Sequence, residues 1–312
     1  MENTCKKKIL FLGMPDMAIV CLAKLAEEDI NIVGVVPPHK SEATYTMMCR
    51  FAQSFGYELI SYENELTEPD FLEKIRALDA DLAIVCSYNK KFPKELLECV
   101  KGGFVNCHPS LLPEYRGANP YSNVIINGEK ETGITLHYMD SGFDTGDIIR
   151  QQPVTISYKE TMGTLFNKMN YISAEMIAQF LKDYETLDTV PCTPQPQGEF
   201  KKAPNIDAAK LQNYIKWNNP AEYLERFVRG LNPFINAMTT FRGIYTKIYS
   251  ADAVKKQTQY EPGTICSVKD TLGVATADGI LFIKSLQFGS YMIADAKEFI
   301  DKFKPQTGEK FE

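Results

Sequence analysis

Four short apolar runs set the terms for this chain: Ile9-Leu10-Phe11-Leu12, Ile32-Val33-Gly34-Val35-Val36, Leu82-Ala83-Ile84-Val85-Cys86 and Phe104-Val105. None alternates apolar with polar residues, so each reads as a strand buried on both faces. Helical spacing fills the intervals, first at Ala18, Cys21, Leu22 and Leu25, then at Met47, Met48, Phe51 and Phe55, then at Phe71, Ile75 and Leu78. A shorter strand is expected around Glu58-Leu59-Ile60. Strands alternating with helices predict an α/β fold, a Rossmann-like, mostly parallel sheet with helices on both faces.

The second half changes character. Ile148 to Ile156 reads as a strand and Thr164 to Phe180 as a long amphipathic helix. Pro191-Cys192-Thr193-Pro194-Gln195-Pro196-Gln197-Gly198 reads as an extended connector. Two helices are expected next. The second has Asn219 as cap, Pro220 at its first position and an apolar face of Tyr223, Leu224, Phe227, Val228 and Leu231. From Thr239 onward, short strands with turns at Arg242-Gly243, Pro262-Gly263 and Asp278-Gly279 predict a small OB-like β-barrel. The expected organisation is a catalytic domain over 1–190, a linker over 191–204 and a C-terminal domain over 205–312.

Bulk properties exclude several classes. The net charge of −6 and pI near 5.4 argue against strong non-specific nucleic-acid binding. Residues 205–312 nevertheless hold 14 Lys+Arg against 12 Asp+Glu, so the mild positive balance sits in the tail. No apolar stretch approaches the roughly 18 residues of a membrane helix. The N-terminus runs straight into a strand without a cleavage site, so no secretory signal is expected. The eight cysteines form no Cys-x-x-Cys pair and lie mostly in apolar segments, which predicts free thiols in a reducing, cytoplasmic setting. Oligomeric state is not readable from the chain.

The chemistry concentrates at one strand end. Asn106-Cys107-His108 follows the fourth apolar run, and Asp144 lies further on in Asp140-Ser141-Gly142-Phe143-Asp144-Thr145-Gly146-Asp147. An amide, an imidazole and a carboxylate at strand C-termini can polarise a carbonyl and move a proton. Cys107 is the tempting nucleophile, but neighbours in a strand point to opposite faces, so it faces the core if His108 faces the site. Gly13-Met14-Pro15-Asp16 lacks the second and third glycines of a dinucleotide fingerprint, which removes the main support for NAD. Asp140, Asp144 and Asp147 miss the calcium-loop spacing, and no metal is expected.

These residues carry a resemblance. Asn106-Cys107-His108-Pro109-Ser110-Leu111-Leu112-Pro113, Tyr115-Arg116-Gly117, Thr132-Gly133-Ile134-Thr135 and Asp144-Thr145-Gly146-Asp147-Ile148 resemble the folate-dependent formyltransferases. That family includes glycinamide ribonucleotide, methionyl-tRNA and amino-sugar enzymes. In the tail, Ile215-Lys216-Trp217, Arg229-Gly230-Leu231-Asn232-Pro233, Ala237, Pro262-Gly263-Thr264-Ile265 and Ala277-Asp278-Gly279 look like the C-terminal domain of methionyl-tRNA formyltransferases. The resemblance implies 10-formyltetrahydrofolate as co-substrate, a primary amine as acceptor, and Asn106, His108 and Asp144 as the catalytic trio. It implies Asn106 and a protonated His108 as donors to the oxyanion, with Asp144 holding the imidazolium and helping to remove the amine proton. It places the folate against Ser87, Tyr88, Phe92, Asp140, Ser141, Gly142 and Phe143. The acceptor side falls on Ser110, Leu111, Leu112, Arg116 and Asn119.

The acceptor is where the motifs diverge. Methionyl-tRNA enzymes usually carry a basic insertion after the second strand, whereas Pro37-Pro38-His39-Lys40-Ser41-Glu42-Ala43 stands here. Arg116-Gly117-Ala118-Asn119-Pro120 departs from their usual Ala-Ala-Pro, and Thr135-Leu136-His137 looks more like amino-sugar enzymes. The expectation is therefore a small amine, an amino-sugar nucleotide, ahead of methionyl-tRNA. A formyltetrahydrofolate hydrolase and a non-catalytic folate-binding protein remain alternatives. The direct start at the first strand counts against the former, and the intact trio against the latter.

Overall fold

A computed structural model of the chain describes residues 6–88, 90–187, 190–290 and 294–312; Cys5, and Asn89 in the expected folate loop, lie outside them. In chain order come β1 (Ile9–Gly13), α1 (Pro15–Glu27), β2 (Ile32–Val36), α2 (Tyr45–Ser54), α3 (Pro69–Ala77), β3 (Leu82–Cys86), α4 (Lys94–Leu97) and β4 (Phe104–His108). Next are α5 (Pro120–Ile126), β5 (Glu131–Tyr138), β6 (Ile148–Thr155), α6 (Met162–Tyr184) and α7 (Ala221–Leu231). The tail holds β7 (Ala237–Phe241), β8 (Ile244–Val254), β9 (Ile265–Val268), β10 (Leu272–Ala275), β11 (Ile280–Phe288), β12 (Ala294–Asp295) and α8 (Ala296–Phe303). Met1–Ala118, Glu131–Thr155 and Asn167–Lys202 form one compact unit; Asn119–Lys130, Ile156–Phe166 and Ala203–Glu312 form another.

The first unit is built on a six-stranded sheet in the order β2-β1-β3-β4-β5-β6. The four apolar runs are its parallel strands, and every residue of β1 and β3 is buried. Helices cover both faces, as expected. Leu10, Leu12, Ala83 and Val85 pack with Phe71 and Ile75 of α3 and Leu96 of α4. On the opposite face Cys86 and Cys107 meet Cys21 of α1. Lys24 of α1 pairs at 3.2 Å with Glu175 of α6. The spacing in α2 overstated its core face, because Met48 is buried but Met47 is 49% exposed.

The sheet then reverses. β5 runs antiparallel to β4, and β6 antiparallel to β5. The sequence reading assigned no strand to Glu131–Tyr138, although every residue from Thr132 to His137 is buried. The register sets Asn106 opposite His137 and His108 opposite Thr135. Residues 191–202, read as a connector, belong to this unit, and Thr193 exchanges two backbone hydrogen bonds of 2.8 Å with Ile148.

The second unit holds an antiparallel sheet ordered β7-β8-β11-β10-β9, with β12 on β11. β7 and β8 meet in a two-residue turn, Arg242 (φ 50°) and Gly243 (φ 72°), the left-handed pair that suits strand twist. Residues 310 and 311 bridge Thr264 and Phe241, so the tail links the two outer sides of the sheet in the manner of a small barrel. Phe241, Phe288, Phe299, Phe311 and Trp217 fill its core. The first expected helix is only a 3₁₀ turn over Ala208–Lys210. The second starts one residue later than the motif implies: Pro220 is the cap position, and Asn219 turns back to donate to the Lys216 carbonyl. Asp278 accepts from the Ala221 N–H at 2.9 Å instead, filling the capping role from 57 residues away.

Candidate functional site

Asn106 and His108 share one side of β4 because they are two residues apart. Cys107 takes the other side, 2% exposed, and burial pushes its thiol well above the ordinary range, so it stays protonated and unreactive.

The loop after β5 brings Asp144 to this pair. Asp144 adopts a left-handed φ of 54°, rare outside glycine. A side chain at Gly146 would collide with the Tyr138 carbonyl oxygen, and one at Gly142 with the Thr145 hydroxyl, so the tight path needs both glycines. Asp140 accepts from the Gly142 N–H at 2.8 Å and from Thr145 Oγ1 at 2.7 Å. Asp144 Oδ2 accepts from the Gly117 N–H at 3.0 Å, while Oδ1 lies 3.4 Å from His108 Nδ1 and 3.9 Å from His137 Nε2. The trio does converge.

Two histidine rings have defined hydrogen-bond logic. His137 Nδ1 lies 2.7 Å from the Tyr138 carbonyl oxygen, which can only accept, so Nδ1 carries the proton. Nε2 is then a free lone pair and accepts from Asn106 Nδ2 at 3.1 Å. Burial, then the neighbouring His108, lower the His137 pKa from 6.5 to about 4, which keeps this ring neutral. His108 Nε2 donates to the Tyr115 carbonyl at 3.0 Å, leaving Nδ1 toward Asp144. His108 thus has an oxygen neighbour at each ring nitrogen.

Two cavities flank Asp144. The first, of about 60 Å³, is lined by Tyr88, Lys90, Lys91, Phe92, Asn106, His137, Asp140, Gly142, Phe143 and Asp144, among others. The second, of about 620 Å³, is lined by Pro113, Arg116, Gly117, Phe143, Thr145, Gly198, Glu199, Phe200, Lys201 and Lys202. Phe143, 66% exposed, belongs to both walls.

Of the expected folate contacts, Tyr88, Phe92, Asp140, Gly142 and Phe143 line the smaller cavity; Ser87 and Ser141 do not. The Tyr88 hydroxyl points inward, donating to the Pro37 carbonyl at 2.9 Å. On the expected acceptor side, Arg116 reaches the larger cavity. Ser110 and Leu112 are buried in the loop itself: Ser110 Oγ donates to the Glu114 carbonyl, and the Leu112 N–H donates to Thr135 Oγ1. Leu111 packs over Gly133. Asn119 belongs to the second unit, capping α5, with its N–H on the Ala203 carbonyl. His137 and Gln195 were not anticipated as site residues. Gln195, 7% exposed, donates from Nε2 to the carbonyls of Asp144 (2.9 Å) and Gly146 (2.7 Å). Among the described residues no group of three or more His, Cys, Asp or Glu is placed to hold a metal ion.

Known proteins resemble this chain along most of its length. A formyl transferase family profile matches residues 7–181, and a profile for the formyl transferase C-terminal domain matches 209–304. A methionyl-tRNA formyltransferase of Clostridioides difficile is 35% identical, over 96% of this chain and 98% of its own. One from Acetivibrio thermocellus is 36% identical, over 97% and 98%. An N-formyltransferase structure from Helicobacter canadensis, in complex with folinic acid and dTDP-3-aminofucose, superposes with a TM-score of 0.65 at 19% identity, over 89% of this chain and 98% of that one. That likeness bears on the fold, whereas the two profiles between them span both halves of the sequence. The chain belongs to the formyl transferase family.

Proposed function

We propose that this protein transfers the formyl group of 10-formyltetrahydrofolate to the α-amine of methionyl-tRNA. The observation that carries this reading is the extent of the match. Relatives named for that reaction align over nearly their whole length and over nearly all of this chain, including the C-terminal domain. The larger cavity supports it, since Arg116, Lys201 and Lys202 offer positive charge to phosphates and Phe143 and Phe200 offer faces to a base. The amino-sugar acceptor, favoured by Arg116-Gly117-Ala118-Asn119-Pro120, by Thr135-Leu136-His137 and by the loop after β2, rests on local differences, the last of them a missing basic insertion. That difference stands, for Lys40 is paired with Glu63 and adds little free charge there. It keeps an amino-sugar nucleotide as the second reading.

The chemistry follows from the site. The acceptor amine attacks the formyl carbon and the carbonyl electrons move onto oxygen. Asn106 has spent one Nδ2 proton on His137 and offers the other to that oxyanion. Asp144 takes the proton released from the attacking nitrogen and returns one to the departing folate nitrogen as the carbon–nitrogen bond breaks. His108 directs Nε2 to the Tyr115 carbonyl and Nδ1 toward Asp144, so it orients that carboxylate in place of the oxyanion-donor role the resemblance implies for it. The free thiols of the described cysteines suit a reducing compartment.

The deciding experiment mixes the protein and 10-formyltetrahydrofolate with charged initiator tRNA, and separately with 3-amino and 4-amino sugar nucleotides. Formyl-methionyl-tRNA formed at the higher kcat/KM is the expected result. Turnover on a sugar nucleotide alone would make the second reading the correct one.

A further inference from the structure

We propose that Gln195 is a positioning residue for Asp144, acting from a segment outside the sheet. Its single buried amide uses both ends. Nε2 donates to the carbonyls of Asp144 (2.9 Å) and Gly146 (2.7 Å), and Oε1 accepts from Arg116, through Nε at 3.2 Å and through its Nη2. The paired backbone bonds between Thr193 and Ile148 fix the segment two residues upstream, so the amide arrives in a set place.

The choice of glutamine has a physical reason. Two carbonyls need two N–H donors, and the guanidinium needs an oxygen; a neutral primary amide is the side chain that supplies both. Glutamate would keep the Arg116 pairing but turn a second oxygen toward two carbonyl oxygens. An alanine would leave both carbonyls without these donors. Asp144 holds a left-handed backbone, which persists only where its surroundings fix it. Gln195 fixes the peptide that carries it, and hence the direction of its carboxylate. Arg116, on the wall of the larger cavity, thereby joins the acceptor side to the Asp144 loop.

This rests on the reading of Asp144 as the proton-transferring group. The test compares Gln195→Ala and Gln195→Glu with Asp144→Asn, measuring formyl transfer, its pH profile, thermal unfolding and amide hydrogen exchange across residues 140–147. Misplacing a reacting group by about 1 Å costs on the order of 10²-fold. Both Gln195 variants are expected to lose about 10- to 100-fold in kcat, with KM for the folate within about threefold and the unfolding temperature little changed. Exchange in 140–147 should rise locally, and the pH profile should move. Loss of activity in Asp144→Asn with wild-type kcat, pH profile and loop exchange in both Gln195 variants would overturn this proposal alone. Full activity in Asp144→Asn would overturn the site reading beneath it. If the wild type transfers no formyl group, the exchange measurement decides: unchanged protection in Gln195→Ala refutes the brace, and a local rise upholds it.

Discussion

Asn106 donates its side-chain amide to Nε2 of His137 at 3.1 Å, across the antiparallel pairing of β4 and β5. A primary amide can present either its N–H or its oxygen to a ligand. His137, with its proton held on Nδ1 by the Tyr138 carbonyl, accepts only at Nε2, so it fixes the nitrogen side of Asn106 on that edge. His137→Phe keeps the bulk and removes the acceptor. We expect kcat to fall on the order of 10-fold or more, since a full oxyanion donor is worth roughly 10²–10³. KM for the folate should stay within about threefold. Steady-state kinetics on the purified variant check this, and an unchanged kcat would remove His137 from the site.

The same ring ties stability to acidity. An unfolded chain takes up a proton at His137 as pH falls through 6.5, whereas the folded protein resists until about 4. Between those values the unfolded state binds more protons, so stability falls as the solution is acidified, by about 3 kcal/mol across the window. Urea unfolding at pH 7 and pH 4.5 should show a larger loss for wild type than for His137→Phe. Equal losses would mean that the ring titrates normally.

Gly146→Ala tests the path of the Asp144 loop. Its new methyl group would collide with the Tyr138 carbonyl oxygen at the end of β5. Overpacking of this kind costs about 1–3 kcal/mol, and formyl transfer should suffer more than stability does because the collision displaces the carboxylate. Thermal unfolding and kcat measured together separate the two effects; a variant with both intact would show the loop to be pliant.

In the second unit, Asp278→Ala removes the acceptor that receives the Ala221 N–H. Loss of such a cap costs about 1 kcal/mol. Asn219→Ala, at the position the motif favours, should cost less, because that side chain donates to the Lys216 carbonyl and leaves the helix end alone. Chemical denaturation of the two variants ranks them, and the opposite order would restore the local motif.

What the sequence disclosed follows from how far each signal reaches along the chain. The apolar runs at Ile9, Ile32, Leu82 and Phe104 announce buried parallel strands because both their faces are covered. Asn106 and His108 fall together, and Cys107 apart, by strand alternation alone. His137 was out of reach, since its place beside Asn106 depends on a strand whose alternation, Ile134-Thr135-Leu136-His137-Tyr138, is short, and on a register between β4 and β5. Gln195 lies 51 residues beyond Asp144 in a proline-rich stretch that looks like a tether. The α7 cap shows the same limit: the local dipeptide Asn219-Pro220 fits the rule, but a distant aspartate fills the role.

Phe143 remains, standing between the two cavities with a face to each. A partition shared by two rooms cannot move for one occupant without altering the other. Trimming that ring would therefore enlarge both spaces at once.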